Sequence, residues 1–179
     1  QAGIEVTSLP GPAACITALT VSGLSTRRFS FEAFLPMDKK ERKKILKEME
    51  QDTRTLVLYG APHRLLRTLQ ELREALGNRK ATLCRELTKK HETTLVSSLD
   101  ELCELYQNQE PKGECVLIIQ GKSREEKEEE DRKEWMKMSL EDHMLYYENQ
   151  GITRKDAMKL VAKDRGISKR DVYQKLLTD

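Results

Sequence analysis

At 179 residues the chain has room for one domain with an appendage, or for two small domains. Charged residues make up 35% of it and the mean hydropathy is −0.68, which predicts a modest core beneath a heavily charged surface or beside a solvated segment. A net charge of +2 and a pI near 8.3 neither demand nor exclude nucleic acid, and no run approaches the roughly 20 apolar residues of a membrane helix.

The chain opens on Gln1 rather than Met, has no secretory signal pattern, and enters a strand pattern almost at once. The expectation is a piece of a longer protein, with part of any site lying elsewhere. The cysteines Cys15, Cys84, Cys103 and Cys115 form no C-x-x-C pair, and His63, His91 and His143 do not cluster with them, so no metal site is expected. Cys84 and Cys115 sit inside apolar strand patterns and read as buried thiols. A reducing, cytoplasmic setting follows from that cysteine usage.

Ile4-Glu5-Val6-Thr7 alternates as a short strand and Leu9-Pro10-Gly11-Pro12 stops it. Ala13 to Val21 reads as a helix of small and apolar residues, ended by Ser22-Gly23-Leu24. Phe29 to Phe34 alternates aromatic with polar or small residues, the pattern of a half-buried strand, and holds all three phenylalanines. Asp38 is placed to cap a helix from Lys39 to about Gln51. Its basic residues, Lys43 and Lys44 among them, suit a phosphate backbone or make an ordinary solvated face diluted by Glu41, Glu48 and Glu50.

The chain is organised around Thr55–Arg64. Thr-Leu-Val-Leu-Tyr is a buried strand, Gly60-Ala61-Pro62 a tight turn, and Leu65, Leu66, Leu69 and Leu72 have helical spacing. Gly60 is expected to supply backbone freedom, and the turn to leave N–H groups beside a positive helix end. Ala81 to Cys84 is the next strand. It runs into Arg85-Glu86-Leu87-Thr88-Lys89-Lys90-His91-Glu92, which is either a cleft edge or a surface loop braced by ion pairs. Ser98 caps a helix from Leu99 to Tyr106, Pro111–Glu114 is a turn, and Cys115–Ile119 is the most β-like run. Strands alternating with helices predict an α/β layer structure.

Composition changes at Lys122. Ser123 to Lys133 is almost wholly charged and reads as a linker or a solvated helix. Helices from Leu140 to Asn149, from Thr153 to Arg165 and from Ser168 to Leu177 follow. Gly151-Ile152-Thr153 and Gly166-Ile167-Ser168 repeat one device: a stopping Gly, an apolar residue and a capping hydroxyl. The expected organisation is an α/β domain over 1–121, with 1–10 coming from an inter-domain strand, a charged linker over 122–138 and a small helical tail over 139–179. That tail would suit nucleic acid as a helix-turn-helix, or be plain helix packing.

Seven stretches together resemble one family. They are Leu9-Pro10-Gly11-Pro12-Ala13-Ala14, Ser22-Gly23-Leu24, Phe31-Glu32-Ala33-Phe34-Leu35-Pro36, Tyr59-Gly60-Ala61-Pro62-His63-Arg64, Arg85-Glu86-Leu87-Thr88-Lys89, Gly113-Glu114-Cys115-Val116-Leu117 and Gly166-Ile167-Ser168-Lys169. Their order is that of the C-terminal part of the ribosomal RNA small subunit methyltransferase I family, within the tetrapyrrole methylases. The resemblance implies the C-terminal domain of the tetrapyrrole methylase fold, a mixed sheet flanked by helices, plus the tail. It implies S-adenosylmethionine as cofactor, 2′-O-ribose methylation of a cytidine in 16S ribosomal RNA of the small ribosomal subunit, and a homodimer. Two other readings stand beside it: a non-catalytic RNA-binding module on the same scaffold, and a methylase of a small tetrapyrrole.

By that resemblance the donor contacts fall on Ala13 and Ala14, on Tyr59, Gly60 and Ala61, on Cys84 and Arg85, and on Gly113, Glu114 and Cys115. Arg85, Glu86, Lys89 and His91 are candidates for assisting proton loss from the ribose hydroxyl. Arg64, Lys89, Lys43 and Lys44 are candidates for RNA contact, with Arg64 and Arg85 positioning phosphate. By that resemblance, relatives usually carry Ser where Ala13 stands, and often Glu where Gly60 and Gln120 stand.

Overall fold

The computed structural model describes residue 3 and residues 7–109 and 111–178. The strand expected at Ile4-Glu5-Val6 lies outside the described residues. The chain divides into two units, Gln1–Lys122 and Ser123–Asp179.

The first unit is a five-stranded mixed sheet in the order β1-β2-β5-β3-β4. β1 (Phe29–Phe34) and β2 (Thr55–Gly60) run parallel, linked by α2 (Lys39–Glu50). β5 (Cys115–Ile119) is antiparallel to both its neighbours, β2 and β3 (Lys80–Arg85). β4 (Thr93–Ser98) pairs antiparallel with β3. α3 (Leu65–Leu76) and α4 (Leu99–Tyr106) complete one helical layer, and α1 (Ala14–Val21) packs against β2 and β5.

The local signals act as their chemistry requires. The Asp38 carboxylate accepts from the amides of Lys40 and Glu41 and starts α2. Ser98 and Glu101 form a capping box at the start of α4. Leu65, Leu69, Leu72 and Leu76 form a stripe on α3, and all four are buried. They pack on the sheet face that carries Leu56, Leu58, Leu83, Leu117 and Ile119. The opposite face carries Val57, Cys84, Val116 and Ile118 beneath Ala18 and Leu19 of α1. Thr82 is buried on the sheet, where its hydroxyl donates to the Ser22 carbonyl at 2.9 Å. That bond satisfies a carbonyl at the helix end.

Two features differ from the sequence expectation. Thr93–Ser98 is a strand, although only its last residue was read, as a helix cap. And the three phenylalanines of β1 are exposed, at 37%, 45% and 59% for Phe29, Phe31 and Phe34, because β1 is an edge strand. The register shifts between Phe31 and Ala33, and Ala33 takes a left-handed φ of 52°. This bulge brings Phe34 opposite Tyr59 just as Phe31 stands opposite Val57.

The second unit comprises α5 (Arg124–Met136), α6 (Leu140–Glu148), α7 (Arg154–Arg165) and α8 (Lys169–Thr178). Of the two forms open to the charged stretch, it takes the helix: Ser123 and Glu126 make a capping box, and α5 packs against α7. The apolar core is Leu140, Met144, Ala157, Val161, Ala162 and Val172. Gly166 ends α7 at φ 64°, the left-handed cap that glycine favours. Trp135 stacks on His143, with ring centroids 4.1 Å apart and planes 6° from parallel.

Candidate functional site

One edge of the sheet gathers most of the residues singled out in the sequence. Gly60 pairs with Cys115, Cys115 with Arg85, and Arg85 with Thr93, so four strands end in one row. The row behind it holds Tyr59, Val116, Cys84 and Thr94. Tyr59-Gly60, Cys84-Arg85 and the Gly113–Cys115 turn therefore lie side by side although they are far apart in the chain. Ala61 follows Gly60 and leads into a 3₁₀ turn over Pro62–Arg64. Ala13 and Ala14 open α1, whose Cys15 packs in the same cluster as Tyr59 and Cys84. Among the described residues no side chain caps α1, so its leading amides have no side-chain acceptor there.

Gly60 does not supply backbone freedom. It is an ordinary member of β2, outside the left-handed region, and its smallness matters instead: a Cβ there would sit 3.2 Å from Cys115 Cβ. Glycine at Gly113 is required by conformation, at φ 84°.

The polar set after β3 is a brace. The Glu86 amide donates to the Glu114 carbonyl at 3.0 Å, and the Glu114 amide donates to Glu86 Oε1 at 2.8 Å. Lys89 Nζ donates to Glu86 Oε1 at 3.2 Å and to Glu114 Oε2 at 3.1 Å. The Glu114 amide and Lys89 hold the Glu86 carboxyl below the usual carboxylate range, and Glu114 and Glu86 push the Lys89 ammonium up. Glu86 is thus ionised with its lone pairs engaged, and Lys89 stays protonated. Neither is disposed to take a proton at neutral pH, and both fix the turn that carries Gly113 and Glu114. Glu86 and Thr88 adopt left-handed φ values of 51° and 65°, a strained turn of the kind found where geometry serves a site.

Arg85 is half-buried at the end of the row, and its Nε donates to Thr93 Oγ1 at 3.3 Å. His91 is exposed in the same turn. Burial pushes the Cys115 thiol up to about 11 and raises that of Cys84, so both are inert packing groups. Among the described residues no group of three His, Cys, Asp or Glu is placed to hold a metal ion.

The basic residues separate. Arg64 lines a cavity of about 360 Å³ with Phe34, Tyr59 and Ala61, beside the row of strand ends. Lys43 lies in a groove between α2 and α3. Lys44 pairs with Glu48 at 3.9 Å and lines neither, and Lys89 belongs to the brace. Phe34, Lys39 and Arg67 also line the cavity at Arg64. The sequence reading weighed Lys39 only as part of the basic helix and passed over Phe34 and Arg67 as site residues; the aromatic at the strand end next to Leu35-Pro36 was the available signal.

A mixed sheet whose strand ends and loops converge on one edge, backed by a small-residue helix, is an α/β domain. The family model for tetrapyrrole (corrin/porphyrin) methylases matches residues 1–103, and the chain belongs to that family. Among curated relatives, the ribosomal RNA small subunit methyltransferase I of Halalkalibacterium halodurans is 42% identical over 171 residues, covering 96% of this chain and 58% of the relative. The protein of the same name from Synechocystis is 39% identical over 175 residues, covering 97% and 61%. The chain therefore spans about three-fifths of the length of these relatives. The crystal structure of the methyltransferase CobJ shares the fold at a TM-score of 0.52 and 20% identity, covering 67% of this chain and 52% of that one. No helix among the described residues is long and apolar enough to cross a membrane.

Proposed function

We propose that this chain is the carboxy-terminal part of an S-adenosylmethionine-dependent methyltransferase that modifies the ribose 2′-hydroxyl of a cytidine in 16S ribosomal RNA. In this reading the protein acts in the cytoplasm as a homodimer, residues 1–121 form one wall of the donor cleft, and the helical tail expected over 139–179 takes in α5 as well. One observation carries the proposal: Gly60, Cys115 and Arg85 stand in one row, and Tyr59, Cys84 and the uncapped start of α1 stand directly behind it. The relatives' shared name directs the reading towards ribosomal RNA.

The residues present fit the donor. Gly60, Ala61, Ala13 and Ala14 are small enough for an adenosine to reach backbone groups, and the leading amides of α1 offer donors. The Gly113–Cys115 turn, clamped by Glu86, gives a fixed backbone on the other side. S-adenosylmethionine supplies the methyl group when bound. The protein's own task is to hold the 2′-oxygen in line with that group. Arg85, at the end of the row, is placed to fix a phosphate next to the reacting ribose. With Glu86 and Lys89 committed to the brace, proton acceptance falls to His91, to a residue outside 1–179 or to water.

The test uses the full-length parent protein. Calorimetry is expected to show micromolar S-adenosylmethionine binding by the parent and little by residues 1–179 alone. Small-subunit particles treated with parent and donor should gain one ribose that resists alkaline cleavage, because that cleavage needs a free 2′-hydroxyl. Arg85→Ala should slow this modification far more than it lowers the melting temperature. A parent that binds no donor would leave the RNA-binding module as the better description.

A further inference from the structure

We infer that the cavity beside the strand-end row, walled by Phe34, Tyr59 and Arg64, is a subsite for one unpaired nucleotide of an RNA strand, and that the groove between α2 and α3 carries the strand onward. The inference deepens the reading above and rests on it for the identity of the polymer.

Three observations converge. The first is the wall. Phe34 is 59% exposed, yet it is held: the bulge at Ala33 turns it to Tyr59, with ring centroids 5.5 Å apart. A left-handed alanine is unfavourable, so an exposed aromatic is being aimed at the expense of stability. An accessible ring face at a cavity mouth is what a splayed base stacks on.

The second is charge. The cavity is lined by Lys39, Arg42, Arg64 and Arg67 against the single carboxylate of Glu71. Arg42 and Arg67 both engage Glu71, at 3.0 and 3.1 Å, and Arg42 also donates to the Pro36 carbonyl. These two are tied into the scaffold. Arg64 makes no such ion pair among the described residues; its guanidinium meets the Met37 sulfur. The surplus positive charge suits a chain of phosphates better than S-adenosylmethionine, whose sulfonium and ammonium outweigh its one carboxylate. The cavity shares Tyr59 and Ala61 with the donor row, so it adjoins the donor's seat without being that seat.

The third is continuity. Lys39, Arg42, Arg67 and Glu71 also line the groove between α2 and α3, which runs on past Lys43 and Lys47 and also meets Glu50 and Glu74, so cations outnumber carboxylates along it. A free nucleotide would need only the cavity. A track of cations leading from it suits a chain of phosphates.

The test reads RNA binding to the 179-residue chain without donor, by fluorescence anisotropy with a short labelled single-stranded RNA. Phe34→Ala should weaken binding about 5- to 100-fold with the salt dependence unchanged, and Phe34→Tyr should restore it. Arg64→Ala should weaken binding and reduce the slope of log affinity against log salt by about 0.7. Lys43→Ala with Lys47→Ala should weaken binding of the strand but leave competition by cytidine monophosphate unchanged; equal loss of both would reduce the site to a free-nucleotide pocket and overturn the track. Phe34→Leu, which keeps bulk but loses the ring face, carries the same expectation should the alanine variant not fold, as judged by circular dichroism. Wild-type binding weaker than about 10⁻⁴ M, or wild-type affinity in both Phe34→Ala and Arg64→Ala, overturns the inference. Since no donor is present, these results stand apart from calorimetry on the parent: either reading can fall while the other holds.

Discussion

Gly113 and Glu86 share one volume: a Cβ on Gly113 would land inside the Glu86 carboxyl group, which at that point accepts the Glu114 amide. The glycine is also left-handed, at φ 84°. Gly113→Ala should therefore both strain the turn and expel Glu86 from its clamp. The loss should exceed the ~1–2 kcal/mol of the backbone penalty alone, read as a lowered urea midpoint. Gly11→Ala, where a Cβ meets nothing within 4 Å and φ is ordinary, is the control and should stay within about 0.5 kcal/mol of wild type. Equal midpoints for the two variants would dismiss the clamp.

Two other glycines rank by what they face. A Cβ on Gly121 would strike the backbone carbonyl of Arg54, which cannot move without shifting the start of β2. A Cβ on Gly60 would press Cys115 Cβ at 3.2 Å, a contact that a few tenths of an ångström relieves. Gly121→Ala should lower the melting temperature severely and Gly60→Ala only slightly. The reverse order would show that Gly60 is needed for more than room.

The helical unit should weaken in acid. His143 is fully buried, stacked on Trp135, and its Nδ1 accepts from Arg165 Nε at 3.1 Å. Its Nε2 lies 3.3 Å from Asp164 Oδ2, an electrostatic contact without hydrogen-bond alignment. Tyr147 donates to that same carboxylate at 2.5 Å. Burial, then the Arg165 charge, hold the imidazole below its ordinary 6.5 and outweigh Asp164. The unfolded chain thus binds the proton first. The stability of neutral His143 is fully present above about pH 6.5 and is lost as pH falls from there towards the folded value. Trp135, the single tryptophan, reports it: the urea midpoint by fluorescence should be lower at about pH 5 than at about pH 8. His143→Asn, whose amide oxygen accepts from Arg165 and does not titrate, should flatten that difference. An unaltered pH dependence in the variant would place the effect elsewhere.

Thiol reactivity should follow burial. With its pKa near 11, about one Cys115 in ten thousand is ionised at neutral pH, and Cys84 is raised by burial as well. Cys15 and Cys103 are half-buried. Native alkylation followed by mass spectrometry should label Cys15 well before Cys84 and Cys115. Labelling of Cys115 at the rate of Cys15 would mean that the row of strand ends opens in solution.

The elements whose signals are local were legible in the sequence. Asp38, Ser98 and Thr153 cap helices because their side-chain oxygens meet nearby amides, and Gly151 and Gly166 take left-handed φ. β4 was not read as a strand because an edge strand needs little apolar surface: Thr93 to Val96 are exposed, so no alternation marks them. The role of Gly60 was misjudged because the reason for its smallness, Cys115, lies 55 positions away. The brace of Glu86, Lys89 and Glu114 likewise depends on the antiparallel register of β5, which composition does not encode.

β5 is the last strand of its unit to be made, yet it lies in the middle of the sheet. Until residue 119 has left the ribosome, β1 with β2 and β3 with β4 can exist only as two separate ribbons, each with an unsatisfied inner border. Synthesis therefore holds two sticky borders open at once, the condition in which nascent chains aggregate or recruit chaperones. Insertion of Cys115–Ile119 seals both borders in one event, and the shared row of strand ends comes into being only then.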